Sequence, residues 1–217
     1  AAAFERALTA EARAIDLGWA EVELGAANGG GAGSGARRTE RHAFAVMAGF
    51  GIDAHMITET DDDLKGRVGW LAYVESLGRA VSASGVIGIR LEIDGGPATE
   101  TEAHTLIVGN CGALQGGVTL LPDADPSDGE LDLLLLDADG IGGWLDTLRN
   151  MVWDNGLKRF FAGGEATAES SASTTHRRAR RLRVELREPR VFEVDGDDLG
   201  ETTRIEITVQ AGAVCVR

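Results

Sequence analysis

The residues best suited to chemistry in this chain are carboxylates crowded into two turns. In Phe192-Glu193-Val194-Asp195-Gly196-Asp197-Asp198-Leu199-Gly200, three aspartates surround an Asp-Gly turn between two strand-like segments. Like charges at this spacing repel, and a cation, a shared proton or solvent must compensate them. The segment is thus a candidate for acid–base work, and equally an Asp-Gly hairpin turn with solvated acids.

The second turn is Pro122-Asp123-Ala124-Asp125-Pro126-Ser127-Asp128-Gly129-Glu130-Leu131-Asp132. It invites comparison with a calcium EF-hand, which needs Gly at its sixth position and Glu at its twelfth. Counted from Asp123, those places hold Asp128 and Leu134, so the comparison fails. A Mg²⁺ ion that keeps several waters, held by one carboxylate and backbone carbonyls, would suit so tight a turn. An acidic turn with no cation is the competing reading.

Charge and composition limit what such turns could serve. The 217 residues carry a formal charge of −14, with 43% hydrophobic and 26% charged side chains. That is globular composition, it lacks the basic footprint nucleic acid requires, and no apolar run nears the ~20 residues that span a bilayer. Positive charge concentrates only at His176-Arg177-Arg178-Ala179-Arg180-Arg181-Leu182-Arg183. This segment reads either as a contact with anionic lipid or as a solvated strand edge that resists pairing. The two cysteines, Cys111 and Cys215, lie in apolar or glycine-rich stretches and read as reduced core thiols, which favours a cytoplasmic setting.

The elements that must position the acids are mostly strands. Ile15 to Leu24 alternates, as do Ile87, Ile89, Leu91 and Ile93 against Gly88, Arg90, Glu92 and Asp94. Leu182, Val184 and Leu186 alternate with arginines and Glu185, and Ile205, Ile207 and Val209 with Arg204, Glu206 and Thr208. One apolar and one wet face per strand predicts antiparallel sheets packed face to face. Helical spacing marks 62–83 and 141–161, and a short helix is expected over 1–14. The expectation is a mostly β chain: a single antiparallel β-sandwich over 1–217 with two helical insertions, interrupted at 25–41 by a flexible glycine-rich loop. That loop lacks the GxxxxGK[ST] pattern of a phosphate cradle.

A series of short motifs resembles a known family. Ala48-Gly49-Phe50-Gly51-Ile52-Asp53-Ala54 is followed by Lys65-Gly66-Arg67, Val108-Gly109-Asn110, Gly116-Gly117, the acid loop from Pro122 to Asp132, and Val194-Asp195-Gly196-Asp197. In order and spacing this resembles the C-terminal lobe of the bacterial diacylglycerol kinase and sphingosine kinase-like lipid kinases, over roughly residues 15–216. In that family an N-terminal α/β lobe binds ATP through a Gly-Gly-Asp-Gly-Thr loop, which is found nowhere in this chain. The resemblance therefore implies the acceptor-side half of an ATP-dependent lipid kinase, inactive without its N-terminal lobe. Its partners would be that lobe and a lipid such as diacylglycerol at the inner membrane face, with homodimerisation left open.

The same resemblance assigns roles residue by residue. Asp197 stands where the family has a catalytic Glu, one methylene shorter, and Asp198 is a possible substitute. Asp195 would be the second acid. A structural Mg²⁺ would take the side chain of Asp128 and the carbonyls of Asp125 and Glu130. Lys65 and Arg67 would face ATP phosphates, and Asp53 the lipid head group. Two alternatives stand beside this one. A non-catalytic lipid-binding module is favoured by the missing lobe and by Asp at 197, and an NAD kinase is disfavoured because Asn110 is followed by Cys111.

Overall fold

The computed structural model describes residues 9–25, 37–51, 85–112, 120–136 and 174–217. The expected helices at 62–83 and 141–161 lie outside these residues, as do Asp53, Lys65 and Arg67.

Ten strands account for most of the described chain: β1 (Arg13–Leu24), β2 (Arg38–Phe44), β3 (Met47–Phe50), β4 (Ile87–Ile93), β5 (Thr99–Ala103), β6 (Thr105–Gly109), β7 (Leu131–Leu136), β8 (Thr174–Ala179), β9 (Arg181–Val194) and β10 (Asp197–Val216). Every pairing is antiparallel, in the order β2-β1-β10-β9-β3-β6-β7-β8. A branch joins β4 to β9 and β5 to β4. The fork lies on β9, where Leu182–Leu186 pair with β4 and Glu193–Val194 with β3, while β10 pairs with β9 at Arg181–Glu185 and again from Arg190 to Val194, with register irregularities between. Side chains from both arms and from β1 and β10 fill one core: Val22, Phe44, Ile89, Leu106, Leu133, Leu182, Phe192 and Ile207 all belong to it. This is the expected β-sandwich plan, in which alternating strands turn their apolar faces inward.

The alternation read from sequence holds where it was clearest. In β9, Leu182, Val184 and Leu186 are buried and their neighbours exposed. β1 buries Ala20, Val22 and Leu24 on the same phase. Gly18 shares that phase because Phe44 of the paired strand packs where its side chain would be.

Three expectations need correction. Arg13 and Ala14 are strand residues, paired with Val216 and Cys215, because the long β10 offers them a ladder that a local helix propensity cannot match. The ladder between β1 and β2 joins Leu24 to Arg38 and Glu21 to Arg41, so the last residues of the 25–41 segment are strand. Cys215 is exposed rather than part of the core, because β10 runs on beyond the core to pair only with the start of β1. Cys111 is half-buried, and both thiols are free.

Candidate active site

The acid hairpin is built around a two-residue connection. Val194 pairs with Asp197, leaving Asp195 and Gly196 at the turn with φ of 48° and 92°. Two successive left-handed residues define the turn whose twist matches paired strands, and Asp-Gly is a favoured sequence for it. The Asp195 carboxylate then reaches across to the connection between β2 and β3. Its Oδ2 accepts the N–H of Ala45 at 2.8 Å, and its Oδ1 accepts those of Val46 and Met47, each at 2.9 Å. The Asp195 N–H returns a bond to the Met47 carbonyl at 2.8 Å. These contacts pin the hairpin tip to the neighbouring connection.

Asp197 is exposed, and among the described residues no hydrogen bond or ion pair engages its carboxylate. Asp198 is exposed but occupied locally, its Oδ1 accepting the Gly200 N–H at 2.6 Å. That contact accompanies a register irregularity between Asp198 and Glu201, with Gly200 at a φ of 98°. Of the three crowded acids, then, Asp197 is the one left open to a ligand.

The acid loop is held differently. Asp125 Oδ1 accepts both the N–H and the hydroxyl of Ser127, at 2.9 and 2.6 Å, and the Ser127 hydroxyl holds the Asp125 carboxyl below its ordinary pKa, helped by the Ser127 amide. Asp128 Oδ1 accepts the Glu130 N–H at 3.0 Å, and its Oδ2 lies 3.8 Å from the guanidinium of Arg178. Arg178 also lies 3.5 Å from Asp132 and donates to the Asp123 carbonyl at 3.1 Å. Asp132 is only 6% exposed. Its burial pushes its pKa up, Arg178 opposes that, and Asp128 and Asp123 add to it. The expected cation residues Asp125, Asp128 and Glu130 thus share one tight turn. Among the described residues no three acidic, His or Cys side chains converge as a metal-binding group. The Asp125 carbonyl accepts the Asp128 N–H at 3.4 Å, and Asp128 Oδ2 faces Arg178.

Between the two acidic turns lie two buried polar residues that the sequence reading did not single out as site residues. Asp16 is 2% exposed. Its Oδ2 accepts the Gly129 N–H and its Oδ1 the Gly212 N–H, both at 2.7 Å, and its own N–H donates to the Pro126 carbonyl at 2.7 Å. The geometry comes from an irregularity in β10: Ile15 pairs with Val214 and Leu17 with Gln210, so residues 211–213 face Asp16 alone. Asn110 is 1% exposed and donates from Nδ2 to the Asp16 carbonyl at 2.9 Å and to the Ala45 carbonyl at 3.0 Å. The legible signal for Asp16 was an acid on the buried phase of an alternating strand.

Among the described residues β8 pairs with β7 alone, and it exposes Arg177 and Arg178. Arg181 and Arg183 contact Glu206, and Arg183 also contacts Glu92. Cys111 lies near the hairpin; burial, and then the Asp195 charge, push its thiol pKa up, which keeps it protonated and poorly nucleophilic. No helix among the described residues is long and apolar enough to cross a membrane.

Residues 46–216 match the family described as the YegS C-terminal NAD kinase beta sandwich-like domain, and the chain belongs to that family. Among solved structures, a Bacillus anthracis str. Sterne protein assigned to the diacylglycerol kinases matches with a TM-score of 0.62 at 19% identity, covering 95% of this chain and 57% of that one. A second, a diacylglycerol kinase from the same organism, matches with a TM-score of 0.56 at 19% identity, covering 94% and 53%. At that identity the likeness is one of fold, and the chain spans a little over half the length of these structures. No curated protein matches the chain.

Proposed function

We propose that this chain is the acceptor-side half of an ATP-dependent lipid kinase, phosphorylating the hydroxyl of diacylglycerol or a similar lipid together with an N-terminal lobe that binds ATP. Family membership supports the reading. The single observation that carries it is the open carboxylate of Asp197 on a hairpin pinned by Asp195.

In the proposed reaction the lipid hydroxyl oxygen bonds to the γ-phosphorus of ATP as the bond from that phosphorus to the β–γ bridging oxygen breaks, and ADP departs. The hydroxyl proton passes to Asp197. Phosphoryl transfer needs positioning and charge neutralisation more than covalent help, so a base within hydrogen-bond reach is a sufficient protein contribution on this side. An aspartate reaches one methylene less far than a glutamate, so the acceptor must approach the hairpin backbone closely. Asp195 would fix the height of that backbone. Mg²⁺, if held by Asp128 and the carbonyls of Asp125 and Glu130, would neutralise charge in the acid loop. Lys65 and Arg67 would face ATP phosphates, and Asp53 the lipid head group.

The test is phosphoryl transfer from radiolabelled ATP into lipid by the chain joined to its N-terminal lobe, with the chain alone as the inactive control. A folded two-lobed protein that labels no lipid would sink the reading. Flotation of the chain with liposomes of anionic lipid, before and after Arg177 and Arg178 are changed to Gln, tests the proposed contact with the inner membrane face. Unchanged binding would assign β8 to edge protection alone.

A further inference from the structure

One continuous set of hydrogen bonds runs from the acid loop to the acid hairpin. It begins at Pro126 and Gly129, whose carbonyl and N–H both meet Asp16. It continues from the Asp16 carbonyl to Asn110 Nδ2, and from the same amide to the Ala45 carbonyl. The Asn110 and Cys111 N–H groups both donate to the Val46 carbonyl, at 2.8 and 3.1 Å. It ends where Ala45, Val46 and Met47 donate to Asp195, two residues before Asp197.

We infer that Asp16 and Asn110 are positioning residues that hold the acid loop and the Asp197 hairpin in one fixed arrangement. The inference rests on the reading of those two turns as cation loop and catalytic hairpin. Burial is what makes the strut stiff. An ionised or amide group removed from water costs free energy unless its bonds are made, so each partner is held to the geometry that satisfies it. Asn110 shows the cost directly. With its Nδ2 hydrogens committed to two carbonyls its orientation is fixed, and its Oδ1 is buried with no hydrogen-bond partner among the described residues. An apolar residue of similar size would avoid that orphan acceptor, yet would lose both carbonyl contacts. The ladder between β1 and β10 pairs Arg13–Ile15 before Asp16 and Leu17–Val22 after it, so the two strands are joined on both sides of this residue.

The experiment is site-resolved amide hydrogen exchange on the folded chain, with the Asp197 carboxyl carbon followed by NMR. Asn110→Leu, or Asn110→Ala where Leu prevents folding, is expected to speed exchange at Val46, Met47 and Gly129 at least about tenfold relative to Leu134 and Ile207 in the core, since these openings become local. Asp16→Asn keeps one acceptor, so it is expected to preserve protection at one of Gly129 and Gly212, lose it at the other, and shift the Asp197 carboxyl signal. If Asp16→Asn alters only Gly129 and Gly212 and leaves residues 45–47 and Asp197 unmoved, the strut does not exist. Equal acceleration throughout the core would also overturn it, by reducing the pair to general stability. Phosphoryl transfer is not read here, so an inactive two-lobed protein would sink the kinase reading and leave the strut standing, and an unmoved Asp197 would do the reverse.

Discussion

The two acidic turns use the same residue type to different ends. In the hairpin, backbone N–H groups take the carboxylates of Asp195 and Asp198, and Asp197 is left open. In the loop, Asp125 and Asp128 are capped within the turn, Asp132 is buried, and the remaining face of Asp128 meets Arg178. A third turn serves as the control: Asp94-Gly95 repeats the left-handed pair, with φ of 50° and 72°, and Asp94 Oδ1 accepts the N–H groups of Arg180 and Arg181 at 2.8 Å each. An aspartate that pins a neighbouring connection is therefore a structural device common to both of these turns. What separates the hairpin from the control is the acid that follows, since Asp197 occupies the place where the Asp94 turn has Gly96.

The largest expected effect breaks this comparison at Asp197. Asp197→Asn in the two-lobed protein should lower the rate of phosphoryl transfer by about 10² to 10⁴, the range general-base loss commonly produces, with an unchanged melting temperature. Asp195→Ala should act the opposite way, on stability first. Losing an acceptor for three backbone N–H groups at a left-handed position should cost about 2 kcal/mol in denaturant unfolding, and Asp195→Asn less, because Asn tolerates that backbone and keeps one acceptor. Asp94→Ala should cost less than Asp195→Ala, about 1 kcal/mol, with no effect on transfer. An equal loss of transfer in the Asp94 variant would erase the distinction between the turns.

Smaller effects sharpen the loop side. If Arg178 occupies the face of Asp128 that a cation would use, Arg178→Gln should tighten Mg²⁺ binding several-fold by isothermal calorimetry. Weaker binding would make Arg178 a support of the site instead of a competitor. Asp132 supplies the pH dependence. Its carboxyl is raised above the ordinary 3.8 in the folded chain, so the unfolded chain releases this proton first. Its contribution is therefore fully present below pH 3.8 and is lost as pH rises through the higher folded value. Asp132→Asn should remove that decline, seen as a flatter plot of melting temperature against pH above 3.8. His104 acts in the opposite sense. Its burial, and then Arg190, lower its pKa from 6.5, so stability is lost as pH falls below that value.

The alternation of β4, β9 and β10, the Asp-Gly turn at Asp195 and the exclusion of an EF-hand all followed from the order of residues along the chain, because side-chain phase and turn chemistry are local properties. Sequence also placed the acids: Asp195, Asp197 and Asp128 stand at turns because such residues terminate strands. Which acid is open and which is consumed was not legible. Asp195 meets residues nearly 150 positions away, and Asp16 meets Gly212 across 196. Only the tertiary structure brings those backbone N–H groups within reach, and a carboxylate's role depends on what it meets. The same holds for Arg13 and Ala14, whose helical composition yields to the ladder that β10 offers from the far end of the chain.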